Sequence, residues 1–404
     1  MKDNFIYFDN INTTFLDNEV AQAMEQAMTS KLGNPSAHIH SAGIQAARLV
    51  DEARGRVAAL IGVRAENVIF TSGATESNNL AVAGFLRANP SYRLGISCIE
   101  HFSIINQARR LKSAGFMVEF IGVDSSGIVD LKQLERIVAG GNTLVSIAAA
   151  NPEIGTIQDV DEISRICRRH GSVFHCDATA AAAVLPIDVT RSGIDLLTLS
   201  AHNMYGPMGV GALYIRDGIG IASLFDGGNQ ELGIRPGTEN IIGIVGMGKA
   251  CEQALLNRGR ESESLRELGR RLHDGLARNV KFIHFTGHPE KRLPGHVSFW
   301  VEHVEGESLL LMLNMKGVMA ASGSACSSNL KGKSEEDLVA SHVLTAVGVP
   351  TDICAGSITF SLSRFNSAAE VDFVIEIMPG IVEKLLAMSP SYSDYMRSKE
   401  SSNG

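Results

Sequence analysis

The chain has 404 residues, of which 45% are hydrophobic and 20% charged, and a formal net charge of -8. It has apolar mass for a large core and more length than one domain usually takes, so two lobes are expected. The acidic balance and scattered basic residues exclude a nucleic-acid partner, which needs clustered cations for the phosphate backbone. The opening Met1-Lys2-Asp3-Asn4-Phe5 is not a basic region followed by an apolar stretch, and no apolar run reaches membrane-spanning length, so a soluble cytoplasmic protein is expected, without a membrane partner.

In chain order, short apolar and β-branched runs fall at 67–70, 94–98, 117–121, 144–149, 172–176, 196–200 and 210–215, with helix-period segments between them. That alternation predicts an α/β domain with a mainly parallel sheet between helices. Polar and reactive residues stand where the runs end: His101, Asn151, Asp177 and Ser200. Ligands in open α/β sheets bind beyond the carboxyl ends of the strands. From about Asn240 a long helical pattern leads towards a smaller α+β lobe. The expected division is a large domain over 13–258, a small domain from 1–12 and 259–390, and a polar, Ser-rich, flexible tail over 391–404.

Cysteines at 98, 167, 176, 251, 326 and 354 include no CxxC pair or short metal-type spacing, so neither a disulfide framework nor a metal site is expected. Cys98 and Cys176 lie in strand-like runs, where a thiol serves as a small hydrophobe. Cys326 differs, with Ser, Gly and Ala around it and the polar stretch 327–340 after it. Such a stretch reads as a mobile segment able to carry a cysteine, or as an ordinary solvated loop.

Thr71-Ser72-Gly73-Ala74-Thr75 opens a helical run, and a helix N-terminus offers free N–H groups to an anion such as phosphate. A small-residue turn that merely caps a helix gives the same pattern. His101 reads equally as a hydrogen-bonded strand-end histidine or as a proton-transfer group. Asp177 is a carboxylate at the end of a buried strand, where ionisation is costly without a partner.

Seven motifs occur in one order: Phe70-Thr71-Ser72-Gly73-Ala74-Thr75-Glu76-Ser77-Asn78-Asn79, Glu100-His101, His175-Cys176-Asp177-Ala178-Thr179, Ser200-Ala201-His202, Gly237-Thr238-Glu239-Asn240, Val304-Glu305-Gly306-Glu307-Ser308 and Ala321-Ser322-Gly323-Ser324-Ala325-Cys326. Together with Tyr7-Phe8-Asp9, Thr13-Thr14 and Gly33-Asn34-Pro35-Ser36, the chain from about Tyr7 to Pro390 resembles the cysteine desulfurases. These are pyridoxal 5′-phosphate (PLP) enzymes of the class V aminotransferase group, with the type I PLP-dependent transferase fold and a seven-stranded, mainly parallel sheet. The resemblance implies that Ala74, Thr75, Ser200, His202 and Thr238 hold the cofactor phosphate, Thr238 across a homodimer interface. It implies that Asp177 pairs with the pyridine nitrogen, that His101 stacks on the ring and moves protons, and that Asn34, Asn151 and Arg364 serve the substrate. Cys326 matches the persulfide-forming nucleophile, which passes sulfur to an acceptor protein or small molecule, in the family's case for uses such as iron–sulfur cluster assembly.

Four positions of the cofactor and substrate shell depart from that family pattern, and Met208 beside them makes a fifth departure. Asn203 stands where the family has its Schiff-base lysine, and between Lys132 and Lys249 the chain has no lysine. A carboxamide nitrogen cannot form that imine. Pro152 and Ala180 stand for an asparagine and a glutamine that reach the cofactor's 3-oxygen, and Thr359 for the arginine that pairs with the substrate carboxylate, while Met208 fills a usual lysine position. The resemblance, so altered, implies sulfur transfer with PLP or pyridoxamine 5′-phosphate held without a covalent link. Two further readings stand beside it. One is a sulfur carrier or scaffold that accepts persulfide from another desulfurase; the other is a different elimination or transfer reaction on the same cofactors.

Overall fold

The computed structural model describes residues 5–322, 341–350 and 356–402. Its large sheet has seven strands: β2 (Val68–Thr71), β3 (Arg93–Ser97), β4 (Val118–Ile121), β5 (Thr143–Ser146), β6 (Val173–Asp177), β7 (Leu196–Ser200) and β8 (Gly211–Ile215). Their order is β2-β8-β7-β6-β5-β3-β4. The pairs β7–β6, β6–β5, β5–β3 and β3–β4 are parallel, and β8 runs antiparallel to both of its neighbours. Every residue of β5, β6, β7 and β8 is buried, so these strands read as continuous apolar runs. At the edge, β4 exposes Glu119 and Phe120.

Helices cover the sheet because their apolar residues recur every three or four positions. Helix Ser41–Ile61 buries Ala46, Val50, Ala53, Val57, Leu60 and Ile61 and ends at Gly62, whose φ of 74° suits a left-handed cap. Helix Ile241–Asn279 starts at Asn240, whose side chain accepts the Gly243 N–H, and has 39 residues. It packs against helix Ser41–Ile61 at Gly248, where a Cβ would lie 2.7 Å from the Cα of Ala53; only glycine permits that approach. The expected division at 258/259 falls within this single unbroken helix.

A second sheet, ordered β12-β13-β10-β9, comprises β9 (Ile283–Phe285), β10 (His296–Val301), β12 (Ala321–Ser322) and β13 (Ile358–Ser361), all antiparallel. Strand β1 (Ile6–Tyr7) pairs in parallel with β11 (Val318–Met319). The segment expected as a flexible tail instead forms a helix over Pro390–Ser402. Its Tyr392 and Tyr395 rings lie 5.9 and 5.8 Å from that of Phe282, an aromatic anchor that composition does not reveal. No helix among the described residues is long and apolar enough to cross a membrane.

Candidate active site

Strands β2, β3, β5, β6 and β7 all deliver their carboxyl ends to one edge of the sheet, and a cavity of about 530 Å³ opens there. Residues following each strand line it: Gly73, Ala74 and Thr75 after β2, Glu100 and His101 after β3, Asn151 after β5, Asp177 and Thr179 at the end of β6, and His202 and Asn203 after β7. Ala321, Ser322, His342 and Thr359 close it from the second sheet and its connections. Three segments continue one another from Ala74 to Ala88, with a π-helical turn at Leu80–Gly84.

Asp177 is 7% exposed. Its Oδ2 accepts Asn78 Nδ2 at 2.7 Å, and its Oδ1 accepts the Thr179 N–H at 2.9 Å. The same Asn78 nitrogen donates to Ser103 Oγ at 2.9 Å, and Ser103 Oγ lies 2.8 Å from His101 Nδ1. That nitrogen also takes the Ser103 backbone N–H, so it is an acceptor and a neutral ring carries its proton on Nε2. Asp177 and His101 are thus joined through two side chains, Asn78 and Ser103, that sequence reasoning did not single out.

Several shielded polar atoms at or beside the cavity have no hydrogen-bond partner among the described residues: Thr13 Oγ1, Glu100 Oε2, Glu153 Oε1, Thr179 Oγ1, Ser200 Oγ, His202 Nδ1 and Asn203 Oδ1. Buried polar groups are normally paired, so this concentration marks a place for a polar ligand. Burial alone pushes the His202 ring down from its ordinary value, which favours the neutral form. Burial raises the Glu100 carboxyl well above the usual carboxylate range, against the pull of the Ala148 N–H, which reaches Oε1 at 3.0 Å. The Glu153 carboxyl is pushed up to about 8, mainly by burial. Sequence reading weighed their neighbours His101 and Asn151 and neither glutamate.

The four departing positions also line the cavity, and three of them have visible structural work. Asn203 Nδ2 donates to the Ile11 carbonyl at 2.9 Å, tying the turn after β7 to the N-terminal loop. Thr359 Oγ1 donates to the Glu153 carbonyl at 3.1 Å, and His296 Nε2 donates to the Pro152 carbonyl at 2.9 Å, so this turn is pinned to the second sheet. Among the described residues lining the cavity there is neither lysine nor arginine.

Other expected site residues lie elsewhere. Arg364 is outside the cavity: its guanidinium pairs with Asp17 at 3.1 Å and Glu261 at 3.0 Å and lies 3.7 Å over the Tyr205 ring. This corrects its expected substrate role, since those partners already occupy its charge and its stacking face. Asn34 is exposed, with Oδ1 accepting the Ser36 N–H, and Thr238 is also exposed and outside the cavity of this chain. Ser200 is buried behind the wall rather than lining it. Asn151 lines the cavity, yet Nδ2 donates to the Ile99 carbonyl and Oδ1 accepts the N–H groups of Glu153 and Ile154. Its amide shapes the turn.

Cys326 and Cys354 lie outside the described residues. Burial raises the thiols of Cys167 and Cys251 to about 12 and that of Cys176 well above the ordinary value, so these three are packing groups. Cys98 is half-buried and also raised by burial.

The class-V aminotransferase family model matches residues 6–374. Cysteine desulfurase IscS 1 of Archaeoglobus fulgidus is 43% identical over 388 residues, covering 96% of this chain and 99% of that protein. The chain belongs to the cysteine desulfurase family. Cysteine desulfurase IscS of Methanosarcina thermophila is likewise 43% identical, over 95% of this chain and 94% of its own length. A solved NifS-like protein superposes with a TM-score of 0.86 at 34% identity, covering 95% of this chain and all of the other. Cysteine desulfurases are PLP-dependent sulfur-transfer proteins, and their type I fold with its mainly parallel large sheet is the fold found here.

The cavity fits such a cofactor on its own evidence. It joins a buried carboxylate, a histidine connected to that carboxylate, and unpartnered hydroxyl and imidazole groups in one chamber. Gly73, with φ of 150° and nothing within 4 Å of a built Cβ, leaves open space at the start of the Ala74 helix.

Proposed function

We propose that this chain is a desulfurase-like sulfur-transfer protein that binds PLP or pyridoxamine 5′-phosphate non-covalently and uses Cys326 as its persulfide-forming thiol. The observation that carries the reading is Asp177, buried and held by Asn78 and Thr179 at the edge of a cavity rich in unpartnered polar atoms. Bound PLP supplies an aldehyde and an electron-accepting ring. Asp177 would hold the pyridine N–H, and Thr75, His202 and the N–H groups around Ala74 would hold the phosphate, with Ser200 contributing from behind the wall and Thr238 in a homodimer. His101, with its Nε2–H fixed by Ser103, moves protons on the exposed side of the cavity. Asn203 keeps the anchoring position polar but supplies no amine. Solubility, a homodimer and a sulfur acceptor belong to the same reading, supported by the IscS-type relatives and the absence of a membrane-crossing helix among the described residues.

Equilibrium dialysis of PLP against the wild type, Asp177→Ala and Asn203→Lys tests it. The wild type should bind PLP and release it on dialysis. Asp177→Ala should bind on the order of tenfold or more weakly, because a charge-assisted bond of ~1.5–3 kcal/mol is lost. Asn203→Lys should retain the cofactor through denaturation after borohydride reduction. Absence of PLP binding in both wild type and Asn203→Lys refutes the reading. A second reading, a carrier that takes persulfide on Cys326 from another desulfurase, is favoured by the lack of lysine and arginine on the described cavity wall. It requires that Cys326 be labelled by a donor enzyme while PLP does not bind.

A further inference from the structure

The turn after β7 carries His202 and Asn203 to the cavity and runs on to Tyr205, a bulky residue whose φ of 60° lies in the left-handed region. Such a conformation persists only where neighbouring groups hold it. Here the holding group is Thr14, which is 8% exposed. Its hydroxyl donates to the His202 carbonyl at 2.8 Å and accepts the Tyr205 N–H, also at 2.8 Å. The Thr14 backbone N–H reaches the same His202 carbonyl at 2.9 Å, and the Asp17 N–H reaches the Tyr205 carbonyl at 3.0 Å. With the Asn203–Ile11 bond between them, these contacts lace residues 11–17 to the turn on both sides of Asn203.

A hydroxyl can donate to one backbone group while accepting from another, and a valine of the same shape can do neither. Thr13 lines the cavity and Thr14 does not, so any effect of Thr14 on a ligand passes through the turn. His202 Nδ1 is shielded on that wall without a partner among the described residues, so the turn presents a ring nitrogen to whatever enters. With Asn203 in the anchoring position no covalent bond draws a ligand into place, and the wall alone sets its position. We propose, resting on the cofactor-binding reading above, that Thr14 is a positioning residue: its hydroxyl holds the turn so that the His202 imidazole stays where it meets the cofactor phosphate.

The test is isothermal titration of the full chain with 4′-deoxypyridoxine 5′-phosphate, which has the cofactor's ring and phosphate but no aldehyde. It is run as a double-mutant cycle of Thr14→Val and His202→Ala. Thr14→Val should weaken binding about tenfold, since both hydroxyl bonds that place the turn are lost. In the His202→Ala background the same change should cost less than about threefold, because the group being positioned is gone. Thr14→Ser keeps the hydroxyl and should bind within about threefold of the wild type. Amide hydrogen exchange in the wild type gives a readout that needs no variant to fold: saturating analogue should slow exchange at Tyr205 about tenfold, because ligand on His202 and the Thr14 bond to Tyr205 stabilise one turn. Undiminished affinity in Thr14→Val, equal losses in the two His202 backgrounds, or unchanged Tyr205 exchange overturns the proposal. If the wild type does not bind the analogue, the cofactor reading falls and this proposal with it; binding without coupling between Thr14 and His202 removes this proposal alone.

Discussion

Replacing Glu153 by glutamine should stabilise the protein, and increasingly so as pH rises. In the folded chain the Glu153 carboxyl holds its proton up to about 8, against an ordinary 4.5, because burial disfavours the charged form more than the Ser341 hydrogen bond favours it. Between those values the folded state binds a proton that the unfolded chain has released, so stability falls with rising pH and levels off once both states are ionised. At ~1.4 kcal/mol per pH unit, the whole interval amounts to on the order of 5 kcal/mol. Water entering through the open cavity reduces this to on the order of 2–3 kcal/mol. Glutamine has no such proton, and every other titrating group is common to both proteins. For a chain of 404 residues, 1 kcal/mol moves the melting temperature by about 1 °C. Melting followed by circular dichroism should therefore show Glu153→Gln gaining about 2–3 °C on the wild type between about pH 5 and about pH 8.5. Parallel pH profiles for the two proteins would refute the reasoning, since they would mean that Glu153 ionises as an exposed carboxylate does.

Two further outcomes follow from the geometry. Arg364→Ala leaves Glu261, 5% exposed at its side chain, without its cation, and should cost ~3–5 kcal/mol in urea unfolding while PLP dialysis is unchanged; a selective loss of ligand binding without loss of stability would restore Arg364 to the substrate site. Gly287→Ala places a Cβ 2.0 Å from the Ile154 carbonyl at a φ of 79°, and should destabilise by ~2 kcal/mol or more, whereas Gly259→Ala, in open space on the long helix, should stabilise by ~0.5–1 kcal/mol; thermal melts of the pair would show it.

The large sheet was legible because its inner strands are buried on both faces. Runs such as Leu196–Ser200 and Val173–Asp177 leave no alternation to confuse the reading. The antiparallel course of β8 left no mark, since its residues are buried just as those of its neighbours are. Strand-end residues Asp177, His101 and Asn151 were legible as a group because topology alone brings carboxyl ends together. Pairing across long separations was not. Arg364 looked available in sequence, but its partners Asp17 and Glu261 lie 347 and 103 positions away. Helix Pro390–Ser402 was hidden for the same reason: its polar composition suggests a solvated end, while its anchor is the distant Phe282. The acidic character of the cavity escaped notice because Glu100 and Glu153 come from different strand connections.

Asparagine and lysine codons differ by a single base, so mutational distance does not separate the two residues at position 203. The Asn203 amide fastens the Ile11 carbonyl, and that fastening joins the loop after β1 to the turn after β7. A lysine at this position would bring an amine only by giving up the carboxamide that makes this bond. The side chain at position 203 is thus a structural tie, and placing an amine there would call for a compensating change near Ile11 as well.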